Sequence, residues 1–305
     1  MIGKSKRTKR NTKWDHPALV LFFIAPAFIF AAVFIAYPAI MSAYYSLYQW
    51  RGMSEARVFV GIENWQQLFS DSVILECIFH NLQLVAVSIL IEIPLAFAIA
   101  LVLARVKVFG RRLYRTAYFF PVILSVTVVG VLWSWVYNPQ YGLLNEGLRA
   151  IGLDQLAKPW LGDNNLVMPA VLLVIIWRFT GFYIIIFMAA LEAVPQDIYD
   201  VATLDGTNLW QLGVRVLMPM LREVFVVTIA IAITASIKRF DLIYVMTGGG
   251  PVHASELLAT YMYKKAFLSF DMGYASAIAF FLFLLTLALV IIQIQSTRSK
   301  ETVEF

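Results

Sequence analysis

Charged residues are scarce in this chain of 305 residues: Asp, Glu, Lys and Arg together make up 14% of it, while 61% is hydrophobic. An average soluble domain carries about 25% charged residues. A water-soluble fold of this composition would leave a large apolar area facing water, whereas a lipid bilayer is a suitable solvent for that surface. The composition therefore excludes an ordinary soluble protein and predicts an integral membrane protein.

Cysteine and histidine are also nearly absent. Cys77 is the single cysteine, which excludes an intramolecular disulfide bond and a thiolate metal cluster. The three histidines, His16, His80 and His253, are far apart in sequence, and none has the spacing of an HExxH zinc motif. We expect no metal site in this chain.

Sequence motifs for catalysis are missing. The phosphate-binding pattern GxxxxGK[ST] does not occur, and Gly3-Lys4-Ser5 imitates only its end, with too few residues before it. No GxSxG motif or suitably spaced carboxylate pair points to an intramembrane enzyme. We predict no catalytic residue and no cofactor bound by this chain. The net charge of +5 would suit nucleic acid, but in a membrane protein the positions of the cations are more informative, and we predict no nucleic-acid partner.

Six apolar segments follow a basic amino-terminal stretch. Each is near or above the ~20 residues that a helix needs to cross ~30 Å of hydrocarbon. Their predicted bounds are Ala18–Ser46, Leu82–Ala104, Thr116–Tyr137, Val167–Leu191, Val224–Met246 and Tyr274–Gln295. Pro26 and Pro38 predict kinks or tilt in the first segment. The predicted fold is all-α, with six transmembrane helices in one domain over residues 18–296.

Lys and Arg are distributed unevenly among the loops. They concentrate in residues 1–17, between Arg105 and Arg115, before the fifth segment and after residue 296. Cytoplasmic loops carry such an excess, so we expect both termini in the cytoplasm, as tails over residues 1–17 and 297–305. The first stretch resembles the start of a signal peptide, but the apolar run after it is too long and lacks a small-residue cleavage site.

The loop between the fourth and fifth segments, residues 192–221, is more than a turn. Pro195 suits the start of a helix and Gly206 its end, because glycine tolerates the left-handed conformation. Thr207 or Asn208 would cap a second helix, which must break or kink near Pro219. The sequence therefore predicts a helix–glycine–helix unit.

The first of these short helices is amphipathic. Its mostly apolar stripe consists of Ile198, Val201, Ala202 and Asp205, spaced at i, i+3, i+4 and i+7. Such a unit suits docking into a groove on a soluble partner. The alternative is a pair of helices lying on lipid headgroups, which the acids of the loop disfavour on an anionic leaflet.

This loop resembles the coupling loop of ABC importer permeases. The family signature is Glu-Ala-Ala, three residues, Gly, nine residues and Ile-x-Leu-Pro. Asp200-Val201-Ala202, Gly206 and Val216-Leu217-Met218-Pro219 keep its spacing, with conservative departures. The resemblance implies that the ATPase-coupling residues are Asp200, Val201, Ala202, Gly206, Val216, Met218 and Pro219.

Other segments resemble the carbohydrate, or maltose-type, branch of the same family. They are Gly61-Ile62-Glu63-Asn64-Trp65, Phe120-Pro121, Trp133-Ser134-Trp135 with Gly142-Leu143-Leu144-Asn145, Leu191 to Pro195, and Phe240 to Pro251. The resemblance implies the type I importer fold and import of a sugar across the cytoplasmic (inner) membrane of a prokaryote. A second permease, two ATPase subunits that bind ATP and Mg, and an extracellular solute-binding protein would be the partners.

Ionisable residues inside predicted spans are costly and are therefore candidates for function. Arg178 lies near the middle of the fourth segment, Lys238, Arg239 and Asp241 lie in the fifth, and Glu92 lies in the second. In maltose-type relatives the corresponding part of the fifth span contacts sugar. Candidates for the substrate path are Arg178, Gly181, Tyr183, Ser236, Arg239, Asp241 and Tyr244, with Trp177 as a further stacking candidate.

Two questions remain open at this level. The cations could instead pair with Glu92, Asp241 and backbone carbonyls and serve only to hold the helices together. If they line the path, their excess over the acids would also suit an acidic sugar. The main alternative function is a secondary transporter driven by an ion gradient, with Glu92 and Asp241 carrying the ion.

Overall fold

The computed structural model describes residues 17–52, 56–106 and 110–297. The predicted cytoplasmic tails, residues 1–17 and 297–305, lie almost entirely outside these ranges. Strands β1 (Tyr48–Gln49) and β2 (Val58–Phe59) form a small antiparallel pair. The other elements of the described ranges are helices, so the all-α prediction is correct apart from this hairpin.

The described residues in the first half of the chain form eight α-helices. They are α1 (Pro17–Ala31), α2 (Tyr37–Tyr45), α3 (Glu63–Ser70), α4 (Ser72–Val87), α5 (Ile93–Arg105), α6 (Arg111–Ile123), α7 (Val126–Val136) and α8 (Leu143–Ala150). π-helical turns at Ala32–Ala36 and Ser88–Glu92 join α1 to α2 and α4 to α5. The first of these turns lies directly before Pro38, where the sequence predicts a kink.

Up to residue 297, the second half contains another eight α-helices. A 3₁₀ turn at Asp154–Leu156 precedes α9 (Val167–Glu192), α10 (Gln196–Leu204), α11 (Leu209–Gln211), α12 (Met218–Met220), α13 (Arg222–Ile237), α14 (Asp241–Met246), α15 (Leu258–Tyr263) and α16 (Met272–Thr297). π-helical turns at Leu212–Leu217 and Lys264–Leu268 follow α11 and α15.

Four continuous helical stretches of the described chain are long and apolar enough to cross a membrane, and two of them run through a π-helical turn. They cover Leu21–Tyr45, Ser72–Arg105, Val167–Glu192 and Met272–Ser296. Two further pairs pass the same test together but are bent, by 98° between α6 and α7 and by 82° between Leu209–Met220 and Arg222–Met246. The described chain thus has four candidate spans, or up to six if each bent pair is one span.

Three predicted segments differ from the helices that form. The helix of the second segment, α4, begins at Ser72, ten residues before the predicted start of the segment. Its start is set by the Asp71 side chain, which caps the helix by accepting the Val73 N–H at 3.0 Å. The third is interrupted at Leu124 and Ser125, whose backbones are extended. The fifth is interrupted between Ile237 and Asp241. Hydrophobicity marks membrane depth, but it does not reveal where a helix is broken.

The core lies between helices, while large apolar side chains face outward. One buried cluster joins α5, α9, α10 and α13, a second joins α7, α9 and α14, and a third joins α3, α4, α15 and α16. The window of the first span has no buried residue. An outward apolar surface of this extent is the expected surface of a membrane protein in lipid.

Candidate functional site

The loop after α9 has the predicted helix–glycine–helix form. Pro195 is the N-cap of α10, and Gly206 follows the helix with a φ of +68°. The backbone N–H and the hydroxyl of Thr207 both donate to the carbonyl of Ala202, at 3.0 and 2.7 Å. The chain therefore reverses at Gly206 in the left-handed conformation that glycine favours.

The second arm of the loop starts with a capping box. Asn208 accepts the N–H of Gln211 at 2.8 Å, and the Gln211 side chain accepts the N–H of Asn208 at 3.1 Å. The arm then continues through the π turn to Pro219 and bends at Leu221 into α13. Of the two predicted caps, Asn208 is the one used, and the break falls next to Pro219 as expected.

The buried face of α10 is not the predicted stripe. Tyr199 and Ala202 face the helical body, whereas Val201 is 56% exposed. The Tyr199 hydroxyl donates to the carbonyl of Leu191 at 2.7 Å, and the Arg105 guanidinium lies 3.7 Å from the Tyr199 ring centroid. Burial raises the pKa of Tyr199, with Arg105 acting in the opposite direction. The hydroxyl of Tyr199 thus fixes the rotation of the helix, which apolar spacing alone could not show.

The outward face of the same unit is apolar at three points. Leu204, one turn after the exposed Val201 on α10, is 87% exposed, and Trp210 on α11 is 75% exposed. Asp200 is exposed as well and accepts a hydrogen bond from Gln196 at 2.8 Å. Val216 is half-buried, while Met218 and Pro219 are exposed. The predicted coupling residues therefore fall into two groups. Ala202 and Val216 are buried or half-buried and pack within the protein, whereas the others are exposed.

A second group of polar residues lies at the centre of the helices. Arg178 is only 5% exposed and donates to the carbonyl of Pro121 at 3.3 Å, near the bend between α6 and α7. One turn along α9, Gly181 packs against the backbone of Tyr118, leaving no room for a Cβ. Arg178 therefore supplies a donor where the bent helix has a free carbonyl.

Arg239 lies in the break between α13 and α14. Its guanidinium carbon is 4.3 Å from the ring centroid of Phe179, and that of Arg178 is 5.2 Å from the same ring. Because α13 ends at Ile237, Ser236 lies in its last turn whereas Arg239 lies beyond the helix. Within the described ranges, neither arginine forms an ion pair with an acid within 4.0 Å. Of the alternative partners named above, Arg178 binds a backbone carbonyl, that of Pro121, whereas pairing with Glu92 or Asp241 is not formed.

Serine side chains connect the break to the second span. Ser88 donates to Glu92 at 2.7 Å, and its hydroxyl lies 3.3 Å from that of Ser236. Glu92, Ser88 and Ser236 are all buried, as is the candidate Tyr183. These residues thus form a buried polar centre together with the two arginines.

Asp241 and Tyr244 lie elsewhere, on the exposed side of the break. Tyr244 stacks on Phe240 with ring centroids 5.0 Å apart, and Tyr263 packs on both rings at 5.2 Å. Trp177 is partly exposed and packs edge-on against Trp133. The structure thus separates the predicted path residues into a buried set and an exposed aromatic set.

Several central residues escape sequence reasoning. Phe179 is one aromatic among many, and Tyr263 and Phe240 are distant in sequence from each other. Asn81 and Ser88 carry a weak signal, because they are polar residues seven apart in a mostly apolar helix. Within the described ranges no group of three His, Cys, Asp or Glu could hold a metal ion.

Long apolar helices around a polar centre, with an exposed loop of two short helices, define a polytopic membrane transport protein. The chain belongs to the family described as "Binding-protein-dependent transport system inner membrane component", whose model matches residues 92–299. The predicted family, that of ABC importer permeases, is thereby confirmed.

Curated relatives of similar length match almost the whole chain. It is 36% identical to the probable ABC transporter permease protein YurN of Bacillus subtilis (strain 168), over 90% of this chain and 94% of that one. It is 33% identical to the multiple sugar-binding transport system permease protein MsmF of Streptococcus mutans, over 92% and 95%. The sulfoquinovosyl glycerol transport system permease protein SmoG of Agrobacterium fabrum is 26% identical, over 97% and 96%.

A solved structure has the same fold. A chain of a bacterial ABC transporter involved in the import of the acidic polysaccharide alginate superposes with a TM-score of 0.79. The match covers 92% of this chain and 95% of that one, at 22% identity. The arrangement of helices described above is therefore an ABC importer permease fold.

Proposed function

We propose that this chain is one permease subunit of an ATP-binding-cassette importer for a sugar or sugar derivative. The observation that carries the proposal is the loop at residues 192–221. Its inner face is fixed to the helical body through Tyr199, while Val201, Leu204 and Trp210 remain exposed. Exposed apolar side chains on a short, firmly held helix suit a protein groove.

The remaining parts of the proposal concern assembly. Each bent pair of helices counts as one span, giving six spans with both termini in the cytoplasm of a prokaryotic cell. The domain covers residues 18–296 between tails over residues 1–17 and 297–305. A second, homologous permease completes the translocation path, two ATPase subunits bind ATP and Mg and engage the loops, and an extracellular solute-binding protein delivers the substrate. The names of MsmF and SmoG support a sugar or sugar derivative as the transported compound.

The substrate path in this proposal includes residues on both sides of the break in the fifth span. The partly exposed stack of Phe240, Tyr244 and Tyr263 offers ring faces, on which sugars place their apolar faces, and Asp241 lies next to it in sequence. The path in this proposal also includes the buried Arg178, Gly181, Tyr183 and Ser236 and the half-buried Arg239. Hydrogen-bonding groups in both the aromatic stack and the more buried set suit a ligand rich in hydroxyls.

Co-purification tests the proposal. The chain is tagged in its native host, extracted gently in detergent, and its bound subunits are identified by mass spectrometry. We expect an ATPase and a second permease to be recovered. Gly206→Pro should abolish ATPase recovery, because proline cannot adopt a φ of +68°. Gly152→Pro, at another left-handed glycine in the loop after α8, is the matched control.

A second variant protects the test against misfolding. Leu204→Arg should lower ATPase recovery at least about tenfold, since an apolar contact is replaced by a charge. Leu143→Arg, which changes an equally exposed leucine on α8, should leave the recovery unchanged. Transport in vesicles without any ATPase would contradict the proposal and favour the gradient-driven alternative.

A further inference from the structure

Asn81 is a fully buried amide in α4, with 0% of its surface exposed. Its side-chain nitrogen donates to the carbonyls of Ser236 and Ile237, at 3.3 and 3.1 Å. Its side-chain oxygen accepts the N–H of Leu258 at 3.0 Å. One side chain of the second span therefore bonds two distant backbone segments.

The two carbonyls belong to the last turn of α13. In a continuous helix they would accept the N–H groups of Phe240 and Asp241, but α13 ends at Ile237 and α14 starts only at Asp241. A buried carbonyl without a donor would cost about 1–3 kcal/mol. The Ser236 carbonyl also accepts the Arg239 N–H, at 3.5 Å. Asn81 gives this carbonyl a second donor and supplies the donor to the Ile237 carbonyl, so the break is stabilised by a residue outside the broken helix.

The third bond is made at the start of another helix. Leu258 is the first residue of α15, whose first N–H groups have no partner within the helix. The neighbouring His80 ring nitrogen lies 2.9 Å from the carbonyl of Glu256, just before that helix. The second span therefore holds α15 from two consecutive positions.

A second contact lies two turns further along the same face. Ser88 is seven residues after Asn81 and contacts the Ser236 hydroxyl, the side chain of a residue whose carbonyl Asn81 binds. Residues seven apart in a helix lie on one face. The region of the break is thus attached to one face of the second span at two points, Asn81 and Ser88.

We propose that Asn81 is a positioning residue that holds the break of the fifth span and joins it to α15, so that both move with the second span. The positioning role follows from the contacts of Asn81, and only its effect on transport rests on the proposed function. The break carries Arg239, and α15 carries Tyr263, so Asn81 sets the relative position of the two sides of the proposed substrate path.

Two substitutions separate the bonds of Asn81. Asn81→Asp has nearly the same shape and keeps the acceptor for the Leu258 N–H, but it replaces the two N–H donors to Ser236 and Ile237 with a carboxyl group that has one O–H donor when protonated and none when ionised. Asn81→Leu loses all three bonds. The matched control is Asn64→Asp, since the buried Asn64 amide likewise donates to two backbone carbonyls, those of Ser46 and Tyr48, at 2.8 and 3.0 Å.

Hydrogen–deuterium exchange with mass spectrometry provides the measurement, on the full chain in lipid nanodiscs together with any subunits that purify with it. We expect Asn81→Asp to speed amide exchange around residues 236–244 about tenfold while the peptide containing Leu258 stays protected. Asn81→Leu should speed exchange in both segments. Asn64→Asp should speed exchange at the β1–β2 hairpin and leave both segments unchanged.

The pattern distinguishes positioning from general destabilisation. A uniform increase of exchange in all helices, or no increase at residues 236–244 in either variant, would overturn the proposal. Loss of Leu258 protection in Asn81→Asp would overturn it as well. The readout requires no transported compound, so failure of the importer assignment in the co-purification experiment would leave this result interpretable.

Discussion

Asp71 shows how single side chains secure the ends of the spans. Its carboxylate accepts hydrogen bonds from the hydroxyls of Tyr261 and Tyr274, at 2.7 and 2.8 Å, and from the N–H of Val73. Partial burial acts to raise the pKa of Asp71, but these three hydrogen bonds outweigh it and hold the pKa below its ordinary value. The ionised form therefore joins α4, α15 and α16.

The lowered pKa predicts how stability depends on pH. The contribution of Asp71 is complete above its unfolded-state pKa of about 3.9, and it is lost as the pH falls through the lower folded-state value. Asp71→Asn should therefore destabilise the protein by about 1–2 kcal/mol at pH 7, and the difference should shrink toward pH 3. Thermal unfolding of the solubilised complex across this range measures it.

A control separates this effect from general loss of charge. Asp154→Asn changes an exposed aspartate of the 3₁₀ turn and should leave the pH profile unaltered. A deficit of Asp71→Asn that stayed the same from pH 7 to pH 3 would contradict the expected linkage.

At the residue scale, the sequence predicts local chemistry better than long-range partners. The left-handed Gly206 and the cap at Asn208 follow from glycine and asparagine preferences and are confirmed. The partners of Asn81 are 155 to 177 residues away, and spacing along one helix carries no information about them. Arg178 and Arg239 are predicted as central, yet their shared contact with Phe179 depends on how three elements pack.

At the scale of elements, close packing of α6 on α9 explains a requirement for glycine. A Cβ at Gly181 would overlap the carbonyl oxygen of Tyr118, a backbone atom that cannot rotate away. Gly181→Ala should therefore push the two helices apart and destabilise the protein by about 1–3 kcal/mol. Thermal unfolding in detergent gives the magnitude.

The matched control is Gly147→Ala in the exposed helix α8, where a Cβ would meet no atom within 4 Å. Removing a helical glycine there should stabilise the protein by up to about 1 kcal/mol. Equal effects of the two substitutions would show that helix propensity, and not the contact with Tyr118, determines the change.

The positions where helices end or break are harder to predict from the sequence than the helices themselves. The fourth segment matches α9 within one residue, because apolar side chains fill its whole length and Pro195 follows closely. In the fifth segment, the break at Lys238 to Phe240 contains neither glycine nor proline. It is stabilised by Asn81 from another helix, so no local signal marks it.

At the scale of the whole molecule, the bent helices decide the topology. The helix Ser72–Arg105 lies between the β1–β2 hairpin and α6, and the bent pair α6–α7 leads on to α8. If α6–α7 crosses the membrane, residues 58 and 143 are on the same side. If the pair turns back, these residues are on opposite sides. An apolar composition fits both paths, so accessibility from each side distinguishes them.

Single cysteines in a Cys77→Ser background measure this accessibility. We expect a membrane-impermeant maleimide to label Val58→Cys, Leu143→Cys and Val252→Cys in intact spheroplasts, because all three positions are exposed and lie outside in a six-span topology. Leu204→Cys, at the coupling loop, should react only after permeabilisation. Protection of Leu143→Cys with labelling of Val58→Cys would mean that α6–α7 is re-entrant, and labelling of Leu204→Cys in intact spheroplasts would reverse the proposed orientation.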